Sequence, residues 1–398
     1  VPKQAAPKQA SEEQVAIDCL RLARAEGVGP VTYRRLLARF GSAAAALRAL
    51  PRLATAGGRA SPPQVPTEAD AMHELERTAA LGARLLLLGD PAYPPLLAGL
   101  DDAPPVLAVL GDVSLLAARA VALVGGRNAS VNGRRIAEDL AAELARAGLV
   151  IISGMARGID AAAHEGALSV GNTLGRTIAV VAGGLDVPYP PEHAELQRRI
   201  ATAGAVVTEA SPGIVPQSRH FPRRNRIIAG LVLGVVVVEA APRSGSLITA
   251  RLATEAGREV FAVPGSPLDP RSRGANDLIR QGAVLVESAA DVLANLPGEL
   301  EAGPAPLFAR QDAPDGPPGF AEPPPTELDF VDSASDRASL HAQVLDLVGS
   351  SPTPVDAVLR RCQFSAPAVM AALLELELAG RVETLPGGRV AALLDPIA

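Results

Sequence analysis

LVLGVVVVEA, residues 231–240, is the most apolar run in the chain. It is about half the length a membrane-spanning helix needs. The run is unbroken rather than alternating, which is the pattern of a strand covered on both faces. Similar runs recur on either side: ARLLLLGD and PPVLAVLGD, then AVALVGG (120–126), LVIISG (149–154), TIAVVAGG (177–184), AVVTEA (205–210), EVFAVPG (259–265) and AVLVES (283–288). Most are separated by an amphipathic stretch such as NGRRIAEDLAAELARAG at 132–148. Alternation of this kind over 67–298 predicts an α/β fold, a doubly wound, mostly parallel sheet with helices on both faces. Ligands of such sheets bind outside the carboxyl ends of the strands.

The flanks read differently. Residues 1–10 are expected to be a disordered N-terminus without the apolar segment of a signal peptide. Residues 11–66 predict a small helical domain, SAM-like or helix-hairpin-helix-like. There Gly27-Val28-Gly29-Pro30 separates two apolar-periodic segments, with Pro opening the second helix. Gly27 and Gly29 are secondary candidates for holding a phosphate on exposed amides; a simple tight turn explains them equally well. Residues 299–336 are Pro-rich, with nine acidic residues against Arg310 alone. This acidic linker is expected to lack a fold. Residues 337–398 read as three helices followed by two strands around Pro386-Gly387-Gly388, the plan of a winged helix. Its third helix carries Glu375 and Glu377 and no base, which weakens the case for duplex reading and leaves a protein-binding or packing role at least as well supported.

The chain of 398 residues carries a formal net charge of −6. The linker holds −8 of it, so the remainder is at +2 and an anionic partner is not excluded. Lys3 and Lys8 are the only lysines, and the Arg usage itself carries no weight because it fits a GC-rich coding bias. Cys19 and Cys362 are the only cysteines, so neither a disulfide framework nor a Cys-based zinc site is available. A soluble cytoplasmic protein is expected.

The loops after the strands hold the unusual residues. VGGRNASVNGRR fits neither a dinucleotide fingerprint nor a P-loop, yet small residues and Arg127 ahead of a helix make an anion seat. SGMARGIDAAAH offers Gly154, Arg157 and Gly158. SRHFPRRNRIIAG concentrates Arg219, His220, Arg223, Arg224, Asn225 and Arg226, and APRSGSLITA places Ser244, Gly245 and Ser246 at a helix start. Backbone amides and guanidinium forks in this density favour phosphate binding over bond-breaking chemistry. No catalytic residues and no metal site are expected. Asp160 and His164, four apart, suit a cap and a packed ring better than an acid–base pair. Ser153 has no partners for a nucleophile, and Glu239 suits a turn or a partner for Arg224 better than a ribose hydroxyl. Among the scarce aromatics, Tyr189 is the stacking candidate, whereas Phe221 is expected to anchor the core.

VALVGGRNAS, ISGMARGIDAAAHEGAL, TIAVVAGGLDVPYP, FPRRNRIIAGL, VVVVEAAPRSGSLITARLATEAGREVFAVPG and GANDLIRQGA, in that order over about 120–287, resemble the bacterial DNA-processing protein A family (DprA, also called Smf). The resemblance implies an extended Rossmann-like core without nucleotide chemistry or cofactor. It also implies homodimerisation through that core, binding of single-stranded DNA, and loading of the RecA recombinase during natural transformation. Other competence or single-strand-binding proteins would be further partners, and no membrane is involved. Carried over, Arg127, Arg157 and the arginines of FPRRNR line the DNA pocket, with Gly154, Gly158, Ser244, Gly245 and Ser246 giving close backbone approach. The Lys that some members carry near the YP turn is missing from YPPEHAEL, and GGR stands where GSR is common. The rival reading is a Rossmann-type enzyme acting on a nucleotide or phosphorylated sugar.

Overall fold

The computed structural model describes residues 7–171, 174–298, 334–385 and 387–393, and these fall into two compact units. The acidic segment 299–333 lies outside the described residues.

In the first unit, α1 (Pro7–Ala23), α2 (Pro30–Phe40) and α3 (Ala43–Ala56) form the N-terminal helical part. α1 starts with Pro7, inside the stretch 1–10 expected to be disordered, because Pro is compatible with the first turn of a helix. Ser42 caps α3 by accepting from the Ala45 amide at 3.2 Å. Leu22, Leu36, Leu50 and Leu53 close the core of this part.

The second unit begins at His73, within α4 (Glu68–Ala80), and is built on nine strands. The strands are β1 (Ala83–Leu87), β2 (Val106–Gly111), β3 (Ala120–Val124), β4 (Val150–Ser153), β5 (Thr177–Val180), β6 (Ala205–Thr208), β7 (Gly234–Val237), β8 (Glu259–Ala262) and β9 (Val284–Leu285). Each falls inside one of the apolar runs. Between them run α5 (Pro95–Ala98), α6 (Val131–Arg146), α7 (Ile159–Ser169), α8 (Ala194–Ala203), α9 (His220–Gly230), α10 (Ser246–Glu255) and α11 (Arg273–Arg280), with α12 (Ala289–Asn295) last. The sheet order is β1-β2-β6-β5-β4-β3-β7-β8-β9. From β6 across to β9 every pairing is parallel, and β1 and β2 add an antiparallel edge.

Alternate residues of the central strands enter two different cores. Ala122, Val124, Ile152, Val235 and Val237 pack on one face with Ile227 and Ile228 of α9 and Ala250 of α10. Val121, Leu123, Ile151 and Val236 pack on the other with Ala137, Leu140 and Leu144 of α6. Burial on both faces is why these runs do not alternate with polar residues. Each aliphatic side chain buried in this way contributes about 1.5–3 kcal/mol.

The C-terminal part comprises α13 (Ala334–Leu347), β10 (Thr353–Pro354), α14 (Val355–Arg361), α15 (Ala366–Leu378), β11 (Val382–Leu385) and β12 (Arg389–Ala392). β12 pairs with both β10 and β11, giving three helices and a small antiparallel wing.

Candidate nucleic-acid interface

The chain lays down β3, β4, β5 and β6 in one direction and then returns to place β7 against the other side of β3. The crevice between the carboxyl ends of β3 and β7 is therefore the switch point at which such sheets hold ligands. Here that crevice is filled from within. Glu239, just past β7, accepts from the Ser130 amide at 2.8 Å and from the Ser130 hydroxyl at 2.5 Å. Ser130 caps α6, its Oγ accepting from the Gly133 amide at 2.8 Å. The Glu239 carbonyl takes the Gly126 amide at 2.6 Å. A Cβ on Gly133 would lie 2.5 Å from the Glu239 carboxyl carbon. The positive end of α6 is thus already matched by a carboxylate of the protein. The expectation of an anion seat at this helix is corrected on that ground.

The cluster FPRRNR belongs to α9, and the helix sorts its arginines. Arg224 and Arg226 point inward and are buried, whereas Arg223 and the preceding Arg219 are exposed. Arg224 Nη1 donates to the Val180 carbonyl at 2.9 Å. A Cβ on Gly154 would sit 1.6 Å from that nitrogen, so Gly154 makes room for Arg224 rather than for a ligand. Burial pulls the Arg224 guanidinium below the ordinary arginine range, against the opposing field of Asp160. Burial likewise pushes the Asp160 carboxyl up, with Arg224 and the Ala156 amide, 3.2 Å away, holding it down. Arg226 donates to the Asp102 carbonyl and to the Glu209 carboxylate, tying α9 to the turn before β2 and to the end of β6. Of the arginines of FPRRNR expected to line a pocket, Arg224 and Arg226 are turned into the protein and only Arg223 is exposed.

Asn225, also buried, donates from Nδ2 to the Gly245 carbonyl at 3.3 Å and so props the turn before α10. In that turn Ser244 Oγ and Ser246 Oγ lie 2.7 Å apart. Gly245 is exposed, and a Cβ there would meet nothing within 4 Å. Gly158 has φ +79°, and a Cβ on it would approach the Gly126 carbonyl to 2.3 Å. It joins the loops after β3 and β4 and leaves no gap for a ligand at its Cα.

The outer surface is made by side chains from the loops after β3, β4, β5, β6 and β7. Arg127 is exposed and stands with Cζ 5.0 Å from the centroid of the Phe221 ring. Phe221 meets Tyr189 at 5.7 Å between centroids with the planes tilted by 53°. Tyr189 remains 43% exposed. Arg157, also exposed, pairs with Glu192. His193 Nδ1 lies 2.9 Å from the Met155 carbonyl, and Met155 holds φ +62°, uncommon for a residue with a side chain. His220 closes the turn before α9 with Nδ1 3.2 Å from the Gln217 amide. Phe221, expected in the core, is instead half-buried between Arg127 and Tyr189. Arg243, exposed next to Ser244, is a further cation at this edge that the sequence reading passed over.

Asp160 and His164 do not form an acid–base pair. Thr177 Oγ1 donates its proton to the Ile151 carbonyl at 2.6 Å and lies 2.7 Å from His164 Nδ1. Nδ1 must therefore carry the proton, leaving Nε2 a bare acceptor without a hydrogen-bond partner. Burial, aided by His193 and Arg224, lowers the His164 pKa to about 3, so the ring is neutral. Ser153 Oγ donates to the Leu123 carbonyl at 2.6 Å and is structural. Among the described residues no cluster of three or more His, Cys, Asp or Glu could hold a metal ion. Gly27 and Gly29 belong to the other unit, where Gly27 has φ +78° and Gly29 caps α2.

Comparison with known proteins follows this division. The DNA recombination-mediator protein A family matches residues 84–297, a DprA-like N-terminal HHH domain matches 13–77, and a DprA winged helix domain matches 322–388. Protein Smf of Escherichia coli is 42% identical over 299 residues, 75% of this chain and 74% of its own. DNA processing protein DprA of Streptococcus pneumoniae is 50% identical over 205 residues, 52% of this chain and 71% of its own. The X-ray structure of the Streptococcus pneumoniae DprA superposes with a TM-score of 0.59 at 39% identity, covering 71% of this chain and 98% of that one.

Proposed function

The chain belongs to the DprA/Smf family, and from that premise we propose that it binds single-stranded DNA without sequence preference along the carboxyl edge of its sheet. The observation that carries the reading is the ladder of Arg127, Phe221 and Tyr189, with exposed Arg157 and Arg223 from the adjoining loops. Guanidinium groups take phosphates and aromatic faces take bases, and every base offers such a face. Gly245, Ser244 and Ser246 offer close backbone approach. Arg219, His220, Gly27 and Gly29 would be secondary contacts. Arg224, Asn225, Arg226, Gly154 and Gly158 act by shaping this edge. The bound strand would be passed to RecA during transformation or recombination, from a homodimer formed through the core, in the cytoplasm. Other competence or single-strand-binding proteins would be further partners.

This function needs no bond-breaking step, and we infer that the protein is not an enzyme. A nucleotide-converting Rossmann enzyme would need the switch-point crevice that Glu239 fills. The test is a titration of labelled oligo-dT of increasing length at several salt concentrations, with Arg127→Ala alongside. Affinity should grow with strand length and exceed that for duplex. Its logarithm should fall with log salt by about 0.7 per phosphate contact, for roughly four to six contacts, and Arg127→Ala should lose about one. Saturation by a mononucleotide, with no dependence on length, would overturn the reading. RecA nucleation on the coated strand is the assay that follows a positive result.

A further inference from the structure

The helix α15 is apolar nearly all round: Ala372, Leu373, Leu374, Leu376 and Leu378 are all buried, and so is Glu375. A helix of that composition must be covered on more than one side. One face enters the core of the winged helix, with Val369, Ala372, Leu373 and Leu376 packed against Leu340 and Val344 of α13. The other face does not belong to that domain. Leu374 and Leu378 enter the core of the N-terminal helices, among Leu22, Leu36, Leu50 and Leu53. In an isolated winged helix both leucines would stand in water.

The seam around them is polar and matched in charge. Arg35 of α2 donates to Thr384 Oγ1 at 3.2 Å and lies 3.8 Å from the Glu377 carboxylate. Glu375 pairs with His341 of α13 at 2.9 Å, and its charge also bears on Arg39 of α2. Backbones approach closely as well. A Cβ on Gly57, the cap of α3, would lie 1.9 Å from the Glu375 carbonyl oxygen and 2.9 Å from the Ala379 Cβ. Gly57 has φ −72° and ψ −4°, which any residue adopts, so it is glycine for the sake of α15 and not of its own turn.

We propose that the winged helix is a protein-docking domain whose partner is the chain's own N-terminal helical domain, gripped through α15, and that it does not read duplex DNA. The third helix is the element a duplex-reading winged helix inserts in the groove. Here its free face would offer two leucines and the Glu377 carboxylate, and a carboxylate repels phosphate. The proposal is independent of the main single-strand site, whose Arg127, Phe221 and Tyr189 lie in the other unit.

The test keeps the full chain and introduces a protease site between Glu299 and Ser333. After cleavage the C-terminal fragment should co-elute with the rest of the protein at micromolar concentration. Gly57→Val places a side chain against the α15 backbone without straining α3. It should weaken retention of the fragment by about ten- to a hundredfold. Gly349→Ala, whose Cβ would meet only the Ser351 amide at 3.9 Å, should leave retention unchanged. Circular dichroism of the uncut variants separates undocking from misfolding, and Leu378→Asp gives the same perturbation from the other side. Loss of the wild-type fragment on cleavage would overturn the proposal, as would undiminished retention in folded Gly57→Val. A tenfold or larger gain of duplex affinity in Gly57→Val would also overturn it, because α15 would then be a masked reader.

Discussion

Arg223 and Arg224 are neighbours in sequence, and substituting them should have opposite consequences. Arg223 is exposed on the outer side of α9. Arg223→Ala should change stability by less than about 0.5 kcal/mol and reduce the salt dependence of oligo-dT binding by about one phosphate contact, about 0.7 in slope. Arg224 is buried, donates to the Val180 carbonyl and opposes the charge of buried Asp160. Arg224→Ala removes a charged hydrogen bond and leaves the Asp160 carboxylate without its nearest counter-field. Together these should cost about 3–5 kcal/mol, a large share of a typical domain's stability. The Asp160 carboxyl is already raised by burial and would rise further. A raised acid binds its proton more tightly in the folded state, so the penalty applies above its folded pKa and is relieved as pH falls through it. Arg224→Ala should therefore be partly rescued by mild acid, and by Asp160→Asn at neutral pH. Gly154→Ala should mimic it, because the new Cβ would lie 1.6 Å from Arg224 Nη1. Urea denaturation at two pH values gives the stabilities, and salt-titrated binding gives the slopes. If Arg224→Ala kept full stability and lost slope, the guanidinium would be reaching the DNA and the assignment of Arg224 as an internal support would fail.

Three further outcomes follow from the same geometry. Phe221→Ala should weaken single-strand binding by about 1–3 kcal/mol through lost stacking, with the salt slope unchanged; a changed slope would mean that Arg127 had moved with the ring. His164 is neutral with a pKa of about 3 against an ordinary 6.5, so only the unfolded chain takes up its proton between those values and stability falls as pH falls through that window. The loss should be about 2 kcal/mol between pH 7 and 5, and His164→Leu, compared by urea melts, should lack it; identical pH profiles would show that the ring titrates normally. Glu239→Ala should destabilise the core by about 1–3 kcal/mol by leaving Ser130, the cap of α6, without its partner, measurable by thermal unfolding, and wild-type stability would show that the carboxylate is not needed there.

How far the sequence could be read depended on whether the relevant partner was near in the chain. The nine strands were legible because burial on both faces makes a short run apolar throughout, as in Val235–Val238. The winged helix was legible from helix spacing and the Pro-Gly-Gly turn. The inward orientation of Arg224 also left a local trace, since it stands three, four and seven residues before Ile227, Ile228 and Leu231, the spacing of one buried helix face. The density of charge in FPRRNR drew attention away from that phase. Arg226 left no comparable trace, because Asp102 and Glu209, which receive it, come from distant segments. Phe221 was misjudged for a different reason: an aromatic beside a helix start suits a core or a surface ladder equally, and only the Arg127 and Tyr189 contacts decide between them.

Glu239 explains how a fold associated with nucleotides can serve another ligand. In a dinucleotide-binding sheet the first helix points its positive end at a pyrophosphate, and glycines clear the space. Here the glycines remain, as Gly125, Gly126 and Gly133, but each is pressed by protein: Gly125 by Ile159 and the Glu239 carbonyl, Gly126 by that carbonyl through a hydrogen bond, and Gly133 by the Glu239 carboxylate. A phosphate entering the crevice would have to expel a carboxylate held by two hydrogen bonds from Ser130. It would then meet a like charge close by. On the proposed reading, phosphates would instead be met further out, at the exposed guanidinium groups of Arg127, Arg157, Arg223 and Arg243 on the loops around the crevice. A single mononucleotide gains little from charges spread over such a rim, whereas a strand with a phosphate at every residue can meet several at once. On that reading the internal carboxylate would favour a polymeric ligand over a monomeric one without contacting either.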